Sequence, residues 1–195
     1  MNKAQLRRAL KAARAAIAPR DRHHAAHAAR RFARPLLLRA RRIGFYAPHG
    51  AEFDLGPLLD AAMDLRCACY LPIVPRRGQR VLRFARVRPD SRYTRNRFGI
   101  REPVDPRPLA ANRLDLLFVP LVGVDDAGYR LGMGGGYYDA TLAYRARRKA
   151  WKKPLLIGVG YVCQRVPALP HDPWDAPLDG LLSEAGLVRF GLVPG

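Results

Sequence analysis

Three features are missing or scarce in this 195-residue sequence, and each absence narrows what the protein can be. No apolar run approaches the roughly 20 residues of a membrane-spanning helix, so we expect no transmembrane segment. The stretch 1–11 is basic but no apolar block follows it, so we expect no secretory signal. The three cysteines, Cys67, Cys69 and Cys163, have spacings that favour neither a disulfide framework nor a zinc site. We therefore expect a cytoplasmic protein with reduced thiols.

Acidic residues are also few. The chain has 16 Asp and Glu against 35 Lys and Arg, which gives a formal net charge of +19. Residues 1–51 carry 13 bases and one acid, Asp21, and so contribute 13 − 1 = +12 of that charge. A basic excess of this size favours an anionic partner, such as nucleic acid, phosphate esters or polycarboxylates, although a solvated arginine-rich surface is the alternative.

The C-terminal part reverses this trend, with four acids that are followed only by Arg189: Asp172, Asp175, Asp179 and Glu184. They have three possible roles: helix or turn caps, local ion pairs, or ligands for a hard cation. A second possible metal site is the pair His23 and His27, which are four residues apart on one predicted helix face. Without a carboxylate in that turn, a solvated helix face is the favoured interpretation.

The hydrophobic content of 49% is enough for one core, and we expect a single domain over residues 1–195. The apolar pattern predicts helices over 2–16, 20–34, 54–65 and 137–148, with Pro35 ending the second. It predicts strands over 43–47, 67–74, 81–87, 116–122, 155–162 and 187–192, and a loop over 88–112. Alternation of strands and helices indicates an α/β layered fold with a mostly parallel sheet flanked by helices, Rossmann-like in architecture. Ligands in such folds bind beyond the carboxyl ends of the strands, where the loops 48–53, 123–136 and 164–179 are expected.

The most informative segment is residues 130–139, Arg-Leu-Gly-Met-Gly-Gly-Gly-Tyr-Tyr-Asp, which follows a predicted strand and precedes a predicted helix. Glycines let backbone N–H groups approach an anion closely, and Arg130 can bind a phosphate through its two terminal nitrogens. No Gly-Lys-Ser/Thr triplet is present, and Tyr137 stands where the dinucleotide fingerprint needs its third glycine. The segment is therefore neither a P-loop nor a standard dinucleotide site, and a structural turn is the alternative to an anion-binding loop.

This segment resembles the signature loop of the 5-formyltetrahydrofolate cyclo-ligase family, also called 5,10-methenyltetrahydrofolate synthetases. The strand 115–122, the segment 98–103 (Phe-Gly-Ile-Arg-Glu-Pro), the C-terminal segment 157–179 and the pair Lys3 and Arg7 resemble other parts of the same family. The resemblance covers nearly the whole chain. It implies an enzyme that uses ATP and Mg²⁺ to convert 5-formyltetrahydrofolate to 5,10-methenyltetrahydrofolate, with release of ADP and phosphate.

The resemblance also implies roles for individual residues. Residues that match the family's nucleotide site are Lys3, Arg7, Arg130, Leu131, Gly132, Met133, Gly134, Gly135, Gly136, Tyr137 and Tyr138. Residues that match its folate site are Ala47, Glu52, Met133, Gly134, Gly135, Gly136 and Tyr137. Asp139 and Asp175 match the magnesium ligands, and Arg130 and Tyr137 are the candidate catalytic residues. For Tyr138, packing in the core is an equally good interpretation.

The chemistry that the resemblance implies needs no protein nucleophile. Phosphorylation of the formyl oxygen makes it a good leaving group, and N10 of the folate can then attack the formyl carbon. One departure from the family pattern is Ala140, where many relatives have Arg or Lys, so a further cation is not expected there. We expect a small-molecule folate, with or without a polyglutamate tail, as the partner, no membrane contact, and a monomer.

Two alternatives are a nucleic-acid-binding protein that uses the basic first 50 residues, and a different ATP-using enzyme with the same fold. Against the first alternative, the aromatic residues of that region lie in predicted strand and core positions, and no RRM, KH or helix-turn-helix signature is present.

Overall fold

The computed structural model of the protein describes residues 1–145, 153–172 and 175–191. The helices in these ranges are α1 (Lys3–Ala15), α2 (Pro19–Arg39), α3 (Gly56–Asp64) and α4 (Tyr137–Leu142). The strands are β1 (Arg42–Gly44), β2 (Ala68–Ile73), β3 (Arg83–Arg86), β4 (Tyr93–Arg95), β5 (Arg101–Pro103), β6 (Leu109–Ala110), β7 (Leu116–Pro120), β8 (Gly123–Asp125), β9 (Arg130–Leu131), β10 (Leu155–Val159), β11 (Arg165–Val166), β12 (Gly180–Ser183) and β13 (Gly186–Arg189).

An eight-stranded sheet forms the centre of the molecule, in the order β13-β12-β10-β7-β1-β2-β3-β6. Its five inner strands, β12, β10, β7, β1 and β2, are parallel, and antiparallel strands complete both edges. The predicted α/β class with a mostly parallel sheet is thereby confirmed. Because the inner strands are parallel, their carboxyl ends share one edge, where the loops after β1, β7 and β10 begin.

Strand β7 shows why its sequence is a continuous apolar run. Leu116 and Phe118 pack with residues of α2 and α3 on one face of the sheet, whereas Leu117 and Val119 pack with Leu142 on the other. All four β7 side chains are almost fully buried. A strand covered on both faces needs apolar residues at every position, and each such side chain stabilises the fold by about 1.5–3 kcal/mol.

Helix α2 continues past Pro35, so the prediction that this proline ends the helix was wrong. Proline removes one helical hydrogen bond and crowds the preceding turn. Four buried alanines before it, at 25, 26, 29 and 33, let the helix lie close to the sheet, and Leu36 and Leu37 after it are buried in the same core. Tertiary packing of this face outweighs the local penalty of the proline.

The region 88–112 is not a loop, contrary to prediction. It contains a hairpin of β4 and β5, the short strand β6 and a 3₁₀ turn over Ala111–Arg113. Strands of two or three residues are too short to show an apolar alternation, so the sequence pattern does not reveal them. Strands β8, β9, β11 and β12 were also not predicted as separate elements.

Helix α4 ends at Leu142, and a 3₁₀ turn follows over Ala143–Arg145. Positions 146–148 of the predicted helix and position 192 of the last predicted strand lie outside the described residues.

A small second sheet, in the order β11-β8-β9, joins the chain around residue 130 to the C-terminal segment. The buried carboxylate of Asp125 strengthens this junction. Its Oδ1 accepts hydrogen bonds from the backbone N–H groups of Ala127 and Tyr129, and its Oδ2 accepts one from that of Leu169. Three N–H donors suit an ionised carboxylate at this depth, since a buried charge without partners would be strongly destabilising.

Asp125 is one example of a general pattern. At least nine of the sixteen acidic residues accept a hydrogen bond from a backbone N–H group: Glu52, Asp54, Glu102, Asp105, Asp115, Asp125, Asp175, Asp179 and Glu184. Two of them also bind a cation, since Asp115 pairs with Lys153 and Asp179 with Arg145. Most carboxylates are therefore engaged in holding turns and strand ends.

The three cysteines are not joined in disulfides. Within the described ranges, the helices include none with the length and apolar character needed to cross a lipid bilayer.

Candidate active site

Two of the three loops predicted to form the site, 123–136 and 164–179, meet through contacts between residues distant in sequence. The ring of Tyr129 stacks on that of His171, with centroids 3.6 Å apart and planes within 2°. Arg130, the next residue, donates from Nη1 to the carbonyl oxygen of Ala176 at 3.2 Å. These contacts place the glycine-rich segment beside the described part of the loop 164–179.

Residues 132–136, called the glycine loop below, connect β9 to α4. Gly134 and Gly136 have φ angles of +98° and +67°, which non-glycine residues adopt only with strain. Gly136 is the residue that precedes the first turn of α4. The side chain of Met133 and the backbone around it are exposed, so this loop offers an open, backbone-lined surface.

Helix α1 presents its basic residues to two sides of this site. Asn2 and Gln5 form a capping box that fixes the start of the helix. One turn apart on the same face, Lys3 forms an ion pair with Asp172 at 2.7 Å, and Arg7 donates from Nε to the carbonyl oxygen of Gly132 at 2.8 Å. A Cβ atom on Gly134 would lie 4.0 Å from Cζ of Arg7, so the guanidinium lies against the glycine loop.

Arg130 and Asp139 form an ion pair across the glycine loop. The Arg130 side chain is 4% exposed and that of Asp139 is 47% exposed, so the cation lies behind the carboxylate as seen from solvent. Asp175 accepts a hydrogen bond from the backbone N–H of Asp172 at 2.9 Å. Since Arg130 also binds the carbonyl of Ala176, it holds Asp139 on the same side of the molecule as the chain next to Asp175.

This donor set fits Mg²⁺ only in a site that other ligands complete. Among the described residues, no three His, Cys, Asp or Glu side chains group closely enough to hold a metal. Magnesium in phosphate-transfer sites takes one or two carboxylates and completes its octahedron with water and phosphate oxygens. The two aspartates are consistent with that arrangement, and their role as ligands stays a prediction.

Glu52 lies on the loop after β1, near buried tyrosines. Its Oε2 accepts a hydrogen bond from the backbone N–H of His49 at 3.0 Å. Burial raises the pKa of the Glu52 carboxyl, against the hydrogen bond from His49 and the nearby charge of Arg14. Burial, and then the charge of Glu52, raise the pKa values of Tyr46 and Tyr138. The carboxylate and both tyrosines therefore share one poorly solvated region.

Three buried polar atoms have no hydrogen-bond partner among the described residues: the Tyr138 hydroxyl, Nε of Arg14 and the Tyr161 hydroxyl. The first two groups interact electrostatically with Glu52. The Tyr46 hydroxyl, by contrast, donates to the carbonyl oxygen of Phe53 at 2.9 Å. Buried polar groups are nearly always paired in native proteins, so the unpaired groups of Tyr138 and Arg14 are what a polar ligand beside Glu52 would satisfy. Ala47, half-buried beside Tyr46, gives the same region an apolar side.

The hydroxyl of Tyr137, unlike that of Tyr138, has a hydrogen-bond partner. It accepts a hydrogen bond from Nη2 of Arg97 at 2.6 Å. The ring of Phe98 lies edge-on to that of Tyr137, with centroids 6.3 Å apart. Arg97 and Phe98 belong to the turn of the β4–β5 hairpin, which sequence reasoning placed in a loop and did not assign to the site.

A sequence model of the 5-formyltetrahydrofolate cyclo-ligase family matches residues 1–184 of this chain. The chain belongs to this family. It is 35% identical to the 5-formyltetrahydrofolate cyclo-ligase of Haemophilus influenzae over 184 residues, which cover 91% of this chain and 95% of that protein. It is also 35% identical to the 5-formyltetrahydrofolate cyclo-ligase of Escherichia coli K12 over 153 residues, or 76% of this chain and 81% of that one.

Solved structures agree with this assignment to the 5-formyltetrahydrofolate cyclo-ligase family. The NMR structure of Aquifex aeolicus 5,10-methenyltetrahydrofolate synthetase matches with a TM-score of 0.83 and 30% identity, over 100% of this chain and 96% of that one. A 5,10-methenyltetrahydrofolate synthetase from Mycoplasma pneumoniae, 21% identical, has the same fold with a TM-score of 0.72, over 94% and 99% of the two chains. The predicted family and ligase class are confirmed.

Members of the predicted site differ in how far the structure brings them together. Arg7 contacts the glycine loop, and Arg130 and Asp139 pair across it, whereas Lys3 contacts Asp172 in the loop 164–179. Glu52 and Tyr138 share a poorly solvated region. Leu131 is almost fully buried and packs in a cluster with Leu10, so its side chain belongs to the core. The segment 98–103, which resembles the family, is the signal that could have led to Phe98 and to Arg97 just before it, although its side chains suggested no chemistry.

The histidines of α2 lie outside this site. His23, His24 and His27 line an open depression of about 590 Å³ together with Ala28 and Arg31. His23 and His27 are close, with ring centroids 4.4 Å apart, but the described residues supply no third metal ligand to this pair. A solvated helix face accounts for them.

Proposed function

We propose that this 5-formyltetrahydrofolate cyclo-ligase family member uses ATP and Mg²⁺ to convert 5-formyltetrahydrofolate to 5,10-methenyltetrahydrofolate, with one domain of residues 1–195 carrying the whole site. The observation that carries this proposal is the placement of Arg7 against an open glycine loop next to the buried, half-unsatisfied region of Glu52 and Tyr138. One side of the site then suits a polyphosphate and the other a flat heterocycle with several hydrogen-bond donors.

The reaction needs an activated oxygen rather than a protein nucleophile. The formyl oxygen of the substrate attacks the γ-phosphorus of ATP, and the bond to ADP breaks. The lone pair of N10 then forms a bond to the formyl carbon, the C–O bond breaks with release of phosphate, and N10 loses its proton. Positioning and charge stabilisation supply most of the acceleration in phosphoryl transfer.

The polyphosphate would lie on the glycine loop. Backbone N–H groups of Gly132–Gly136 supply donors, while Arg7 and Lys3 supply positive charge from one face of α1. Asp139 and Asp175 would hold Mg²⁺, which supplies neutralisation of phosphate charge. In this arrangement Arg130 binds Asp139 from behind and fixes the direction of its carboxylate.

The folate would take the other side. Glu52 accepts hydrogen bonds from the pterin N–H and amino groups, and Ala47 contacts the ring plane. The unpaired hydroxyl of Tyr138 reaches a polar atom of the same ligand, while Met133 and Tyr137 border it at the glycine loop. The unpaired state of the three cysteines is consistent with a cytoplasmic site of action, and we propose a monomer.

The decisive experiment supplies ATP, Mg²⁺ and 5-formyltetrahydrofolate to the purified protein. We expect the absorbance of the methenyl chromophore to grow in step with release of one ADP per product. ATP hydrolysis without that chromophore would favour a different ATP-using enzyme on this fold. Salt-sensitive binding of RNA or DNA with no ATP turnover would favour a nucleic-acid-binding protein instead.

A further inference from the structure

Arg97 joins three segments of the chain that the proposed reaction does not otherwise connect. Its Nη1 donates to the carbonyl oxygen of Pro75 at 2.6 Å, and its Nη2 donates to the Tyr137 hydroxyl at 2.6 Å. Its Cζ lies 5.1 Å from the centre of the Phe98 ring and 5.9 Å from that of Tyr137. One guanidinium therefore links the segment after β2, the β4–β5 turn and the first residue of α4.

The turn that carries Arg97 is itself fixed. The side-chain oxygen of Asn96 accepts hydrogen bonds from the backbone N–H groups of Phe98 and Ile100, at 2.9 and 3.1 Å. The buried carboxylate of Glu102 accepts one from Nδ2 of Asn96 and one from the backbone N–H of Val74, each at 2.7 Å. The hairpin is thus tied to the chain just before Pro75, and Arg97 extends from a rigid base.

The charge of Arg97 is not neutralised by a carboxylate. Among the ion pairs of the described residues, none involves Arg97. Its partners are a carbonyl, a hydroxyl and two aromatic faces, all of which leave its full positive charge in place. A cation in this position adds to the positive potential beside the glycine loop.

The hydrogen bond between Arg97 and Tyr137 has a direction. An arginine can only donate, so the Tyr137 oxygen is the acceptor. The hydroxyl proton of Tyr137 must then point away from the guanidinium. A hydroxyl that accepts from a cation is also polarised and becomes a stronger donor through its own proton.

We propose that Arg97 is the positioning residue of Tyr137: it turns the Tyr137 proton toward the glycine loop, where the hydroxyl donates to a phosphate oxygen. This inference rests on the proposed function, in which the polyphosphate of ATP lies on that loop. Arg97 touches no reacting atom and acts through Tyr137. The ligand that this donor recognises is an anionic polyphosphate, whatever the rest of the nucleotide.

The test uses inorganic triphosphate as the probe, so that it does not depend on turnover. Calorimetric titrations compare the intact protein with Arg97→Met, Tyr137→Phe and the double variant. We expect each single change to weaken triphosphate binding about tenfold, in line with loss of one charge-assisted hydrogen bond, and the double change to weaken it little more than Tyr137→Phe alone. Arg97→Lys should recover part of the loss, since an ammonium can still donate to Tyr137.

Arg101→Met is the matched control. Arg101 lies on the same hairpin with its Cζ 4.7 Å from the centre of the Tyr93 ring, and removing it deletes the same charge without touching Tyr137. In the Tyr137→Phe background, Arg97→Met should have no greater effect than Arg101→Met. Melting temperatures of all variants show whether each is folded, and Arg97→Lys keeps the charge if the methionine variant is not.

Additive losses in the double variant, or an equal loss for Arg101→Met, would overturn the positioning role of Arg97. The methenyl assay on the intact protein separates this result from a failure of the proposed function. Absence of methenyl product with a coupled Arg97–Tyr137 response would overturn the function and leave the positioning role standing. Normal product formation with additive losses would overturn the positioning role and leave the proposed function standing.

Discussion

Nε of Arg7 lies 2.8 Å from the carbonyl oxygen of Gly132, which binds the first helix of the chain to the first residue of the glycine loop. The two residues are 125 positions apart. The contact uses the inner nitrogen of the guanidinium, so the outer part of the group lies along the loop near Gly134. Arg7 thus supports the backbone of the loop and places a charge beside it at the same time.

The first prediction concerns these two roles of Arg7. Arg7→Lys keeps a positive charge but loses the planar group that can bind a carbonyl and an anion together. We expect affinity for ATP to fall by about ten-fold or more, as for loss of a charge-assisted hydrogen bond. Calorimetric titration measures it, and Arg8→Lys, an exposed neighbour on α1, is the control. Equal affinity in both variants would mean that Arg7 contributes charge alone.

The second prediction tests the two proposed magnesium ligands. Asp139→Asn and Asp175→Asn should each impair ATP turnover, with partial recovery at high Mg²⁺, because an amide oxygen is a weaker ligand for a hard cation than a carboxylate. Turnover measured across a Mg²⁺ titration gives the result. Asp126→Asn is a suitable control, since this exposed aspartate pairs with Arg165 away from the glycine loop. Full activity of both site variants at low Mg²⁺ would remove them as ligands.

The third prediction concerns Arg130→Lys. Arg130 donates to both Asp139 and the carbonyl of Ala176, and a lysine ammonium cannot reproduce that fork. Turnover should fall more than nucleotide affinity, because the carboxylate that the arginine orients matters most when phosphate charge shifts. Steady-state kinetics and binding measured on the same sample separate the two effects. If both decline by the same factor, Arg130 serves ground-state binding alone.

The fourth prediction concerns folate binding by Glu52. Glu52→Gln keeps the shape of the side chain but loses the charge that, in the proposed site, accepts hydrogen bonds from the pterin. A hydrogen bond to a charged group contributes about 1.5–3 kcal/mol, which is roughly ten- to over a hundred-fold in affinity. Folate affinity should weaken by that factor while ATP·Mg affinity, measured alone, stays nearly constant. An equal weakening for both ligands would indicate a structural role for Glu52.

The fifth prediction follows from the raised pKa of the same residue. A carboxyl whose pKa is higher in the folded state destabilises the fold once it ionises, so the penalty appears as pH rises above the unfolded value near 4.5 and is complete above the folded pKa. Glu52→Gln should therefore raise the melting temperature of the ligand-free protein at pH 7 and change it little near pH 4. Loss of folate binding together with a gain in stability would mark Glu52 as a functional rather than a structural residue.

In the same melting experiment, Asp105→Asn should shift the melting temperature in the opposite direction to Glu52→Gln. Hydrogen bonds from backbone N–H groups, that of Arg86 foremost, hold the pKa of Asp105 below its ordinary value. Its contribution to stability is present above about pH 3.8 and is lost as pH falls through the folded pKa. Asp105→Asn should lower the melting temperature at pH 7, with a difference that shrinks in acid. The same sign for both variants would contradict the assigned causes.

The sequence predicted those parts of the fold whose apolar pattern is set by burial on the sheet. Strand β7 is an example, since two-sided burial requires apolar residues throughout. The β4–β5 hairpin had no such signal because Asn96 and Glu102, rather than apolar contacts, hold it in place. Pro35 misled the prediction for the opposite reason, because tertiary packing overrides a local preference.

The candidate site also contains residues that the sequence predicted and residues that it did not. Resemblance to the family predicted site roles for Lys3, Arg7, Glu52 and the glycine loop. The contacts of Arg97 with Pro75 and Tyr137, by contrast, span 22 and 40 residues. Arginine is so abundant here that no single one stands out in the sequence. Only the folded arrangement distinguishes an arginine that directs a hydroxyl from one that is merely solvated.

The use of carboxylates to hold turns and strand ends has a consequence for encounters with substrate. A carboxylate that binds backbone N–H groups keeps its negative charge but is held at a turn or strand end, and the 35 basic residues outnumber the 16 acidic ones, so the exterior remains strongly cationic. Anionic molecules approaching such a surface are drawn in from a distance set by the ionic strength of the medium. The first step of catalysis, the arrival of nucleotide and folate, is therefore the one that added salt should slow most.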